Sequence, residues 1–342
     1  MSQYPTTDEL TCSLFSVVDH HPGGSRGISE FYAQLMDQIV LAEELGYDTF
    51  WIAEHHFHEY GVTPNPAVYL AAAAQRTARI RLAPAVSVLP FRNPMQVAED
   101  YAMLDQLSGG RCVLGVGSGY LPHEFQGFAV SGKYKREHFD EALDILKRAL
   151  AGERITVRSP FHQFDDAVLN VPPAQTEIPI YVAALRIEPA YHIGRQGNRL
   201  LTVPYATVDR LEQIADIAEA YYRGYAESGA DPANCEIAMA LHTHVAESDE
   251  AARAAAAEAF DLYVATRIYA KSQVWDDIWK SRLALFGSVE RVTGLLSEIY
   301  DMGIRNVLFL QNFGGLDPAH ATSSMTLMMN EVAPRVRARA AT

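Results

Sequence analysis

The chain has 342 residues, 49% of them hydrophobic, and a net charge of −14. That supplies ample apolar material for a large core, and with no basic block it argues against nucleic acid as a partner, since phosphate backbones demand clustered Lys and Arg. Cys12, Cys112 and Cys235 form no zinc or CxxC spacing and read as packed, reduced thiols. The first ten residues lack the features of a signal peptide, and the apolar run 67–74 is too short to span a bilayer. A cytoplasmic protein with no membrane partner is expected.

Strand and helix patterns alternate along the chain. Residues 10–18 predict a strand and 19–27 a long loop. Residues 30–45 predict a helix with Phe31, Leu35, Ile39, Ala42 and Leu45 on one face, stopped by Gly46. The second strand, 49–57, reads T-F-W-I-A-E-H-H-F, an apolar run that ends in a carboxylate and two histidines. Helix 65–78, strand 80–90, helix 93–107, strand 111–116 and helix 136–150 follow. Later strands are expected at 178–184, 200–204, 236–245 and 306–310, with helices at 188–196, 208–228, 249–269, 288–302 and from Pro318 onward.

Eight strands alternating with helices predict one α/β domain over 1–342, a (β/α)8 TIM barrel. Two long intervals place insertions near 151–177 and 268–286. An open doubly wound sheet is the rival, but no G-x-G-x-x-G follows the first strand.

Candidate chemistry collects at predicted strand ends. Alternation along a strand puts Glu54 and His56 on one side and His55 on the other, so at most two enter one pocket unless the strand has already ended. The run G-V-G-S-G at 115–119 lets backbone approach a flat ring or a phosphate. His242 and His244, two apart, share a side of the seventh strand. The strand that follows ends in Gln311-Asn312 without an Asp, so a substrate pocket is favoured over a metal site. Arg136, Arg186 and Arg195, at predicted element ends, suit a phosphate.

The stretch 49–119 closely resembles the bacterial-luciferase-like flavin-dependent monooxygenases, and in particular the luciferase α-chain. The matching residues are Glu54-His55-His56-Phe57, Glu59-Tyr60-Gly61, Asn65-Pro66, Val88-Leu89-Pro90, Gln96-Val97-Ala98-Glu99-Asp100 and Leu104-Asp105-Gln106-Leu107-Ser108-Gly109-Gly110-Arg111. Weaker marks continue at Gly287-Ser288-Val289-Glu290 and Gly303.

The resemblance implies reduced FMN at the carboxyl ends of the barrel strands, used as a co-substrate with dioxygen and delivered by a separate flavin reductase. It implies His55 as the active-site histidine; His242 or His244, from their place on the seventh strand, is a second candidate for handling a proton. Glu54, Ala85, Val86, Gly117, Ser118, Gly119, Tyr120, Arg136, Leu185 and Arg186 become cofactor-binding candidates, with a non-proline cis bond expected between Ala85 and Val86. Luciferases carry a reactive cysteine where this chain has Gly117, which weakens light emission as an activity. They carry a carboxylate where it has Leu185. Phe15, Trp51, Phe57 and Phe91 would form a dry wall. A small organic substrate and a homodimer, paired through the helices beside the second and third strands, complete the expectation. A deazaflavin-dependent oxidoreductase on the same barrel, a metal-dependent barrel hydrolase and a non-enzymatic flavin-binding protein are the alternatives.

Overall fold

The computed structural model describes residues 9–24, 26–267 and 273–340. Its elements are β1 (Thr11–Ser16), α1 (Ile28–Leu45), β2 (Thr49–Ile52), α2 (Pro66–Ala74), β3 (Arg81–Pro84), β4 (Ser87–Val88), α3 (Pro94–Ser108), β5 (Leu114–Gly117), α4 (Pro122–Gly127), α5 (Lys135–Leu150), β6 (Ile155–Arg158), β7 (Gln163–Ala167), β8 (Ile180–Ala183), α6 (Ile187–Arg195), β9 (Arg199–Thr202), α7 (Ile214–Ser228), β10 (Ile237–Ala246), α8 (Asp249–Thr266), α9 (Trp275–Ser281), β11 (Leu285–Ser288), α10 (Val289–Asp301), β12 (Asn306–Leu310), α11 (Pro318–Leu327) and α12 (Ala333–Ala340).

The parallel strands run in the order β3-β2-β1-β12-β10-β9-β8-β5-β4, with β11 added beside the outer half of β10. The ends of this path meet. β3 and β4 are two halves of one stave, and Leu82 of β3 bridges to Cys112 below β5. Leu82 N donates to Arg111 O (2.9 Å) and Val113 N to Leu82 O (3.0 Å), so the cylinder is nearly closed and the TIM barrel expected from alternation is what forms.

The interior face follows from register. Phe15 lies opposite Trp51, Trp51 opposite Ala83, and Leu310 opposite both Phe15 and His242. Residues in register on parallel strands share a side. Trp51 meets Tyr181 of β8 edge-on at 5.3 Å, a contact between strands that are not neighbours in the wall. That side is therefore the inside.

The most distinctive sequence run, Leu104–Arg111, is a structural clamp. Buried Asp105 accepts from Cys112 N (3.2 Å), Gln175 N (2.8 Å) and Gln175 Nε2 (2.7 Å). Arg111 donates to the carbonyls of Ala74, Thr77, Ile80 and Ser108. Together they tie the ends of α2 and α3 to the feet of β3 and β5.

Several expectations change. The strand expected over 49–57 stops at Ile52, because His55 N turns to Thr63 O and Val62 N to Val18 O. The strand expected over 80–90 breaks into β3 and β4. The insertion near 151–177 is the antiparallel hairpin β6–β7. Within the second, residues 268–272 lie outside the described residues, and α9 and the start of β11 occupy part of the rest. Among the described residues no helix is long and apolar enough to cross a membrane.

Candidate active site

Early termination of β2 answers the alternation problem. Glu54, His55 and His56 lie beyond the last strand residue, so strand parity no longer sorts them. Buried Glu54 turns to the neighbouring stave: its Oε1 accepts from Val88 N (3.3 Å) and faces His56 Nε2 (3.1 Å). His56 is walled by Phe91 and Phe128, edge-on at 6.1 and 4.7 Å. Glu54 and His56 thus fasten the tip of β2 to β4.

His55 has a different partner. Its Nδ1 faces Glu124 Oε1 at 3.4 Å, and the same oxygen accepts from His56 N at 3.0 Å. Glu124 is a buried carboxylate on the short helix α4 that follows the β5 tip. Among the described residues the Nε2 of His55 makes no hydrogen bond. Gly61 makes room for the ring: a Cβ there would lie 2.6 Å from His55 Cδ2. Sequence reading passed over Glu124; its only signal was a carboxylate four residues past Tyr120.

Ala85 and Val86 are joined by a cis peptide bond. They are half-buried, while Leu82, Ala83 and Pro84 before them and Ser87 through Pro90 after them are buried. They form an apolar shelf open to the barrel mouth. Val86 leans on β5, where a Cβ on Gly117 would lie 2.6 Å from Val86 Cγ2. Glycine at 117 is thus required by packing. Ser118 and Gly119 are half-exposed beside the shelf, and Tyr120 is exposed. A cleft of about 560 Å³ adjoins this tip, lined by Tyr120, Phe125, Gln126 and Ser131 among others, with Lys135 its single charged lining residue. Lys135 Nζ donates to Gly119 O (3.2 Å).

The structure does not bring every candidate together. Arg136 pairs with Asp140 across one turn of α5, both half-exposed, and its neighbour Lys135 is the residue that turns to the β5 tip. Leu185 and Arg186 follow β8, the stave beside β5. The Leu185 carbonyl accepts from the Thr207 hydroxyl, and Arg186 is the exposed residue preceding α6. Arg195 is exposed at the far end of α6. Phe15 and Trp51 are buried in the barrel and Phe91 is half-buried, but Phe57, at φ 56°, is 63% exposed.

His242 is only 1% exposed inside the mouth. The rings of Tyr205, Tyr263, Phe260 and Phe313 surround it edge-on at 4.5, 4.7, 5.0 and 5.4 Å. Neither ring nitrogen has a partner among the described residues. Burial, reinforced by Arg267, holds its imidazole well below the usual range and so neutral. His244 leaves this box. It is buried beside His320 of α11, their centroids 6.3 Å apart, and burial with that neighbour pushes it down to about 4. Tyr60 connects the two sides of the mouth: its ring lies 5.0 Å from His55 and its hydroxyl 3.0 Å from that of Tyr263. Among the described residues no three His, Cys, Asp or Glu side chains converge as a metal site would require.

A barrel whose strand tips present a histidine–carboxylate pair, an open apolar shelf and a glycine tip gathers its reactive groups at its mouth, where enzymes of this fold carry their active sites. The model of the luciferase-like monooxygenases matches residues 11–305, and the chain belongs to that family. Limonene 1,2-monooxygenase of Rhodococcus erythropolis is 31% identical over 221 residues, covering 65% of this chain and 57% of the relative. An F420-dependent glucose-6-phosphate dehydrogenase of Intrasporangium calvum is 34% identical over 174 residues, covering 48% and 52%. The chain thus spans little more than half the length of these curated relatives. Among solved structures, monooxygenase RslO1 from Streptomyces bottropensis superposes with a TM-score of 0.88 at 27% identity, covering 95% of this chain and 99% of that one. The oxygenating constituent of 3,6-diketocamphane monooxygenase from Pseudomonas putida, in complex with FMN, has a TM-score of 0.81 at 20% identity, covering 95% and 98%, and is a likeness of fold.

Proposed function

We propose that this chain is an FMN-dependent monooxygenase that takes reduced FMN from a separate reductase and uses dioxygen to oxygenate a small organic substrate. The observation that carries this reading is the half-buried apolar shelf of Ala85 and Val86, open beside His55 and the glycine tip of β5. A flat tricyclic ring fits such a shelf, and the backbone of Gly117–Gly119 offers close approach free of β-carbons. Lys135, the single charged residue lining the adjoining cleft, suits a phosphate there, with Arg186 at the neighbouring tip within the same role. Bound reduced flavin would supply the activation of oxygen.

The protein's own residues exclude water, orient the substrate and manage a proton. Trp51, Phe15 and Phe91 provide apolar surface. His55, with Nδ1 toward Glu124 and Nε2 unengaged, is the group to give or take a proton at Nε2. His242 serves the substrate side. The relative that uses F420 keeps the deazaflavin reading alive as the rival. We place the enzyme in the cytoplasm as a single catalytic unit and a homodimer.

The test is anaerobic titration with reduced FMN and with reduced F420, followed by mixing with oxygen. Tight binding of reduced FMN, and oxygen consumption from NADH only when a flavin reductase is added, are expected. Binding of F420 with no response to FMN would replace this reading by hydride transfer. Once a substrate is found, His55→Ala should cut turnover by about 100-fold with FMN affinity little changed; unchanged turnover would remove His55 from the mechanism.

A further inference from the structure

Among the described residues, the mouth of the barrel holds a cation with no carboxylate beside it. Arg267 follows α8, and its guanidinium lies 5.1 Å from the ring centroid of Tyr205 and 5.3 Å from that of Tyr263. These are the same two rings that flank His242. Among the described residues no Asp or Glu pairs with Arg267, although the protein as a whole is strongly acidic. Its surroundings are phenols: the Tyr60, Tyr205 and Tyr263 hydroxyls form a chain with steps of 3.0 and 3.4 Å, and burial raises the Tyr60 and Tyr263 hydroxyls far above their ordinary value, so they stay neutral. Guanidinium stays protonated at any physiological pH. A cation in an aromatic box is partly satisfied by ring faces and by its hydrogen bond with the Tyr120 hydroxyl, but its remaining in-plane donors call for oxygen acceptors, best an anion. On the floor of the same box, neither ring nitrogen of His242 has a partner among the described residues.

We infer that Arg267 and His242 form the substrate's recognition site, and that the substrate is an aryl oxyanion, a phenolate or an aromatic carboxylate. The aromatic walls take the ring, Arg267 takes the charged oxygen, and neutral His242 donates to or accepts from an adjacent polar group. An enclosed cation favours the anionic form of an ionisable substrate. The inference rests on reading the barrel mouth as an oxygenation site, with the shelf of Ala85 and Val86 on one side and this box on the other, joined through Tyr60.

The experiment is equilibrium binding to the purified protein without flavin or oxygen, so its failure is separable from failure of the redox reading. The probes are 4-nitrophenolate, benzoate, the neutral amide benzamide, FMN and inorganic phosphate. Arg267→Met keeps the bulk of the side chain and removes the charge. It should weaken one or both aryl anions by about tenfold or more, leave benzamide unchanged and leave FMN and phosphate within about twofold; which anion suffers identifies the class of oxygen. Arg267→Lys should recover part of the loss. Should the Met variant not fold, the unaltered protein still decides. At the pH where free 4-nitrophenol is half ionised, binding should shift its absorbance toward the phenolate. Equal anion affinity in the variant, a shift toward neutral phenol, or a loss confined to FMN and phosphate would each overturn the inference, the last by giving Arg267 to the cofactor.

Discussion

Glu124 is the residue on which the proposed chemistry most depends after His55. A single oxygen accepts the His56 amide and faces the His55 imidazole, so it sets both backbone and ring. Glu124→Gln keeps an acceptor for the amide and removes the charge. Turnover should fall about tenfold while FMN affinity holds. Unchanged turnover would make Glu124 a purely structural group.

His244 makes a prediction about stability. It is held neutral down to about pH 4, against an ordinary value of 6.5. Between those values the unfolded chain binds a proton at this position that the folded chain refuses. Stability contributed here is therefore intact above about pH 6.5 and drains away as pH falls toward 4, with a slope of at most about 1.4 kcal/mol per pH unit. His244→Gln should flatten the acid side of the stability curve measured by urea titration. A slope identical to the unaltered protein would show that His244 takes up its proton without unfolding.

At the scale of elements, the meeting of β5 with the broken stave β3–β4 builds the shelf. Their contact requires a missing side chain at 117, where a methyl group would sit 2.6 Å from Val86 Cγ2. Gly117→Ala should destabilise the fold by about 1–3 kcal/mol through overpacking, read as a lower midpoint of thermal unfolding. Val86→Ala combined with Gly117→Ala should recover most of that loss, since the two share one contact. Additive losses would place the strain elsewhere. The same contact explains why a cysteine at this position, as luciferases have, does not suit this chain while Val86 is present.

For the whole molecule, the face formed by α2 and α3 matters most. These helices pack on one another and leave Val68 69%, Met103 52% and Leu107 49% exposed. Large apolar side chains exposed on two adjoining helices offer a contact surface, and this is the face on which we place the homodimer. Sedimentation velocity at micromolar concentration should show a dimer, and Met103→Lys should shift it to monomer without changing the thermal midpoint. A monomeric unaltered protein would refute the pairing.

The alternation of elements and the chemical character of the strand ends were legible in the chain, because core periodicity and helix stop signals are local properties. His55, the shelf residues and the glycine tip were reachable through their resemblance to a family. Other features were decided only by tertiary structure. Strand β2 ends at Ile52 because its backbone groups find distant partners at Val18 and Thr63. Glu124 becomes a partner of His55 only when α4 folds back over the β2 tip, and Arg136 yields to Lys135 because a helix turn points one inward and the other at Asp140. The box of Tyr205, Tyr263, Arg267 and His242 gathers side chains from the regions after β9, α8 and β10. A single sequence records no such convergence, since contacts across a barrel mouth depend on closure of the wall and not on spacing along the chain.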